Sequence, residues 1–192
     1  MNKFLLNKTY NKDNMSIKTN KIFESEWISV YKAEDGFIYA QRKSINSISA
    51  LLFKKENNKR YFLIHYQPLP EVEEKKKSDD CFPSSVTGAL EKNETPDECV
   101  VREVGEETGY KITKKNIVAS SVSISSTQMN EKVFNFLIDV TGIKQGEIKT
   151  DGSYFELVSY NVWKPEQALI SILDNELHLS SLGSCYLLAK KI

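Results

Sequence analysis

The run Gly88–Tyr110, GALEKNETPDECVVREVGEETGY, permits few local structures. Thr95-Pro96-Asp97-Glu98 is a helix start: a hydroxyl that caps, a proline suited to the first helical position, and a glutamate that completes a capping box. Gly109 is a natural stop, because glycine enters the left-handed region without steric cost. The spacing predicts a helix over residues 96–108. That helix is loaded against its own stability. Glu103, Glu106 and Glu107 share one face of its last two turns. Like charges at this spacing cost about 0.2–0.5 kcal/mol per pair, and the helix dipole disfavours each terminal acid by about 0.3–1 kcal/mol. Gly105 inside the helix costs about 1 kcal/mol more. Arg102 alone cannot neutralise three carboxylates. A hard divalent cation would relieve the repulsion, since Mg2+ takes carboxylate oxygens together with substrate phosphates. A solvated acidic face would explain a bare ExxEE as well, so the weight rests on the wider spacing.

Five residues separate Gly88 from Glu94, and seven separate Glu94 from Arg102-Glu103; Val104, Glu106-Glu107 and Gly109 follow. This pattern resembles the Nudix box, GX5EX7REUXEEXGU with U a bulky aliphatic residue. All the fixed positions match, and Tyr110 at the last U is the departure. The resemblance implies an α/β (α+β) fold, a Nudix-type α/β/α sandwich with a mixed β-sheet. It implies that Glu103 and Glu107 are the principal metal ligands, that Glu106 is a further ligand or base, and that the backbone carbonyl of Thr87 faces the metal. Arg102 would hold the carboxylates and Glu94 would be an outer partner. The implied cofactor is Mg2+, with Mn2+ as a substitute. The implied reaction is hydrolysis of a nucleoside diphosphate linked to another moiety, giving a nucleoside monophosphate and a phosphorylated remainder. In part of the family a loop acid serves as base. Glu147 and Asp151 occupy such a loop and Glu156 follows it, although a lone loop acid is commonly just solvated.

The flanks resemble the ADP-ribose and nucleotide-sugar branch. WISVYKAEDGFIYAQRK is similar to its N-terminal β-hairpin, which often exchanges across a dimer, so a homodimer is implied. Arg42 falls where that branch has a substrate-contacting arginine, and Trp27 is placed either to stack on a base or to pack as a strand residue. Gln67 stands where the branch usually carries an arginine, and Ser84 where it usually has a glutamate. Two alternatives remain: a nucleoside triphosphate pyrophosphohydrolase, and a non-catalytic module that senses a nucleotide or binds a partner.

Charge and composition bound the rest. The 26 basic and 26 acidic residues balance, which argues against nucleic-acid binding. Cys81, Cys99 and Cys185 form no metal-type cluster and fit a reducing interior. No apolar run reaches the roughly 18 residues of a membrane helix, and Phe4–Leu6 is too short for a signal segment. The expected location is therefore cytoplasmic. Residues 1–20 read as a mobile tail and 21–192 as a single domain, with 21–46 as its hairpin. Asp35-Gly36 marks a hairpin turn. Strands are expected at 48–53, 61–66, 117–124, 132–140 and 154–162, a surface loop at 67–80, and helices from Pro165 to 173 and along Leu179, Leu182, Tyr186 and Leu187. His65 and His178 read as structural or surface residues.

Overall fold

The apolar run SISALLF forms the spine of the sheet. The structure, a computed structural model, describes residues 18–149 and 152–192, excepting the side chains of Tyr154 and Glu156. In chain order the strands are β1 (Thr19–Glu24), β2 (Ile28–Ala33), β3 (Ile38–Arg42), β4 (Ser47–Glu56), β5 (Lys59–Pro68), β6 (Cys81–Ser84) and β7 (Val86–Ala89). Helix α1 (Pro96–Thr108) precedes β8 (Ile117–Ser126) and β9 (Met129–Asp139). Then come α2 (Tyr154–Val158), β10 (Tyr160–Pro165), α3 (Glu166–Asn175) and α4 (Ser180–Ala189).

Strand β4 is buried on both faces, as a central strand covered by helices must be. Ile48, Ala50 and Leu52 face Cys99, Val100 and Val104 of α1. Leu51 and Phe53 face Leu169 and Ile172 of α3 and Leu182 and Cys185 of α4. Each such buried aliphatic or aromatic side chain contributes about 1.5–3 kcal/mol. The result is the expected α/β/α sandwich with a mixed sheet: β4 runs parallel to β9 and antiparallel to β5 and β7.

The sheet splits along β4. Its first half, Ser47–Ala50, pairs with β7, and its second half, Leu52–Glu56, pairs with β5. The far half of β5 leaves β4 and pairs instead with β6 over His65–Pro68, while the opposite edge of β5 pairs with β10 over Tyr61–Tyr66. Gln67 on β5 thus comes beside Thr87 and Gly88 on β7.

Several sequence expectations are corrected. Thr19 and Asn20, expected in the tail, pair with Ala33 and Lys32, so the Asp35-Gly36 hairpin of β2 and β3 has a third strand. Residues 1–17 of that tail lie outside the described residues. The strand expected over 154–162 is a helical turn followed by β10. Leu157 and Ser159 donate to the carbonyls of Ser153 and Phe155, and pairing starts only at Tyr160 opposite Tyr66. Beyond Tyr66, β5 has only Gln67 and a proline left, and proline cannot donate to a ladder. The loop expected from residue 67 starts after Pro68. Leu187 is exposed, and the buried stripe of α4 is Leu182, Cys185, Tyr186, Leu188 and Ala189.

Candidate active site

Helix α1 runs over the expected residues. The Thr95 hydroxyl accepts from Glu98 N, and the Glu98 carboxylate accepts from Thr95 N at 3.0 Å, so both halves of the capping box are made. Gly109 takes φ 73° and donates to Gly105 O. No basic residue stands in the last turn. The terminal carbonyls find donors elsewhere. Lys149 N donates to Glu106 O at 3.0 Å, Asn161 Nδ2 to Glu107 O at 2.8 Å, and Gln145 Nε2 to Thr108 O at 2.8 Å. Gly146 N donates to Gly109 O at 2.9 Å. The orphan groups of the helix end are thereby met, and the segment 145–149, which carries Glu147, is pinned against the glutamate-bearing turn.

Arg102 organises the acids. Its Nε and Nη2 donate to the two oxygens of Glu94 at 2.9 and 3.0 Å, a bidentate grip. Its Nη1 donates to Glu103 at 2.8 Å and to Glu106 at 3.2 Å. The hydrogen bonds from Arg102 hold the Glu94 carboxyl down at about 2. Burial instead pushes Glu103 up to about 7, against the pull of Arg102. The carboxyl of Glu103 lies where a Cβ of Gly88 would be, within 2.1 Å. Glu107 Oε2 lies 3.8 Å from His65 Nε2.

Among the described residues, no three acid, imidazole or thiol groups converge as a ready-made metal cage. Glu103 and Glu106 are instead drawn to Arg102. The donor set nevertheless suits a hard divalent cation: every candidate atom is an oxygen, and the side-chain-free Gly88 leaves a cradle against Glu103.

The candidate substrate residues fall into three clefts. Gln67 and Arg42 share one of about 630 Å3 with Thr87 and Gly88, walled by hydroxyls of Ser123, Ser180, Ser181 and Ser184. Gln67 also lines a second cleft of about 330 Å3 with Glu106, Glu107 and His65. Trp27, 75% exposed, lines a third with Glu94, Arg102 and Glu103, a different cleft from the one that holds Arg42. Glu147 is exposed beside Gly109. Asp151 lies outside the described residues, as does the side chain of Glu156.

Three features escaped the sequence reading. His65 is buried, and its Nδ1 meets Asn161 Oδ1 at 3.0 Å. Because the Asn161 amide nitrogen is committed to Glu107 O, its oxygen faces the ring, which makes Nδ1 the donor. Burial holds this imidazole below its ordinary pKa. Asn161 is a poor strand former in a paired strand, which was the available signal. The third is Glu131, buried in the serine-walled cleft 3.4 Å from Arg42; nothing in its sequence context marks it.

The NUDIX domain model matches residues 43–179. Among solved structures, the crystal structure of an ADP compounds hydrolase is similar to this chain with a TM-score of 0.61. That likeness covers 91% of this chain and 90% of that one at 13% identity, and so bears on the fold. No curated protein matches this chain by sequence. With the family match extending over well more than half of its length, on a helix whose glutamates and arginine stand as the Nudix box requires, the protein belongs to the NUDIX domain family and is a Nudix hydrolase.

Proposed function

We propose that the protein hydrolyses the diphosphate of a nucleoside diphosphate joined to a second moiety, ADP-ribose or a nucleotide sugar, with Mg2+ as cofactor. The observation that carries this is the meeting of two clefts at Gln67, with Glu106 and Glu107 on one side and Thr87 and Gly88 on the other. A substrate with a central diphosphate and two bulky ends fits such a divided groove. The structural neighbour that acts on ADP compounds supports the same substrate class.

Glu103, Glu107, Glu106 and the Thr87 carbonyl would hold the cation. When bound, the cation supplies charge neutralisation on the diphosphate and acidifies a water. Arg102 keeps Glu103 and Glu106 oriented through its hydrogen bonds. Arg42 and Gln67 contact the substrate in the serine-walled cleft. Glu147 and Asp151 are the candidates for the base. A homodimer through β1–β3 belongs to the same reading and is supported by the exposed Ile22, Phe23, Phe37 and Ile38 on that extension. Among the described residues, no helix is long and apolar enough to cross a membrane.

The test is a panel of ADP-ribose, nucleotide sugars, dinucleoside polyphosphates and nucleoside triphosphates with Mg2+ or Mn2+, products identified by mass. A nucleoside monophosphate released from the linked diphosphates supports the reading. Diphosphate released from triphosphates alone would replace it with the triphosphate pyrophosphohydrolase.

A further inference from the structure

The 330 Å3 cleft beside the glutamates has a wall that cleavage of a diphosphate does not itself require. Ile148, Phe155, Leu157 and Tyr160 line it and are 47%, 50%, 66% and 50% exposed. Four large apolar side chains gathered around one opening are a costly surface, and patches of this kind mark binding sites. Here they wall a concavity whose other end is Glu106, Glu107 and Gln67. A face for another protein has no need of carboxylates at its floor.

We propose that this cleft is the nucleobase subsite, taking the planar base of the nucleoside half of the substrate. The inference rests on the reading of the site as a diphosphate hydrolase, and adds the direction in which the substrate lies. The diphosphate must lie where the two clefts meet, at Gln67, so its two ends must enter different clefts. The serine-walled cleft offers hydroxyls and Arg42, which suit a hydroxylated or phosphorylated remainder. The second cleft offers apolar and aromatic surface, which suits a base. Tyr160 is held for this purpose by Tyr66: their rings stack with centroids 4.9 Å apart and planes 3° apart. Phe155 and Leu157 project from the one-turn helix α2, between the segment pinned on α1 and strand β10. This assignment places the base on the far side of the glutamates from Trp27.

The test is binding of adenosine 5′-monophosphate, followed by calorimetry with Mg2+ present, to wild type, Phe155→Ala, Leu157→Ala and Trp27→Ala. All three positions are exposed, so the variants keep the core intact. Stacking on an aromatic ring makes a loss of about tenfold the expectation for Phe155→Ala, with a smaller loss for Leu157→Ala and none for Trp27→Ala. Photolabelling by 8-azido-adenosine monophosphate should mark residues 155–160. Unchanged affinity in the Phe155 and Leu157 variants, or a label on Trp27, overturns the subsite. Turnover of the substrate panel is read separately. A chain that binds the monophosphate through Phe155 but cleaves no linked diphosphate refutes the proposed function and leaves the subsite standing.

Discussion

Gly88 and Glu103 share one space: a Cβ on Gly88 would lie 2.1 Å from the Glu103 carboxyl carbon. The glycine is thus required by a carboxylate on a different element, β7 against α1. Both residues are fixed points of the same motif, and their contact explains why the motif begins with glycine.

Gly88→Ala should therefore push the Glu103 side chain out of place. Overpacking of this kind costs about 1–3 kcal/mol, and displacement of this proposed ligand about 10²-fold in rate. Urea denaturation and steady-state turnover measure the two effects. A variant with wild-type turnover would show that Glu103 works from another position.

Mg2+ at millimolar concentration should raise the melting temperature, because it relieves repulsion among Glu103, Glu106 and Glu107. At a hundredfold excess over the dissociation constant the stabilisation is about 2.7 kcal/mol. Glu107→Gln should lose both the metal-dependent rise and turnover while its circular dichroism stays that of the wild type. A metal response retained in this variant would remove Glu107 from the ligand set.

Arg102→Lys keeps the charge but not the fork. The bidentate contact with Glu94 and the contacts to Glu103 and Glu106 cannot all be remade by one ammonium. Loss of about 1–3 kcal/mol of stability is expected, because Glu94 and Glu103 are left largely buried without their partner. Chemical denaturation of the two proteins gives the difference directly; equal midpoints would refute it.

Gly109→Ala meets two obstacles, a left-handed φ of 73° and the Gly146 carbonyl 2.5 Å from the new Cβ. The segment 145–149 should lift from the end of α1. Amide exchange at Gly146 and Lys149, whose N–H groups donate to Gly109 and Glu106 carbonyls, should speed up at least tenfold. Unchanged protection would mean that the segment is held by other contacts.

Acid should weaken the joint between β5, α3 and α4. Burial pushes Glu166 up, but hydrogen bonds from Arg60, Tyr186 and Lys190 outweigh it and hold its carboxyl below the ordinary 4.5. A depressed folded value means that its stabilisation is complete above about 4.5 and is lost as pH falls through the folded value. Glu166→Gln should thus melt lower than wild type at neutral pH, and the gap should close below pH 4.5. A gap independent of pH would assign the effect to packing.

Local chemistry made α1 readable residue by residue. Its cap, proline, stop glycine and acid spacing all lie within one turn or two of each other, so short-range geometry decides them. The same is true of the Asp35-Gly36 turn and of β4, where an apolar run reports burial on both faces. The stretch over residues 154–162 reads as one strand but forms a helical turn before β10, because alternating Phe155, Leu157 and polar neighbours suit an exposed helical turn as well as a strand. Which of the two forms depends on where β5 runs out of partners. Likewise no local signal could join Gly88 to Glu103, Asn161 to the Glu107 carbonyl and His65, or Arg42 to Glu131. These pairs are 15 to 96 residues apart, and they meet only where β7 packs on α1, β10 pairs with β5 and β3 pairs with β9, around the split of β4 at Leu51. Reaction class lay in the helix; the two clefts that meet at Gln67 are products of that split.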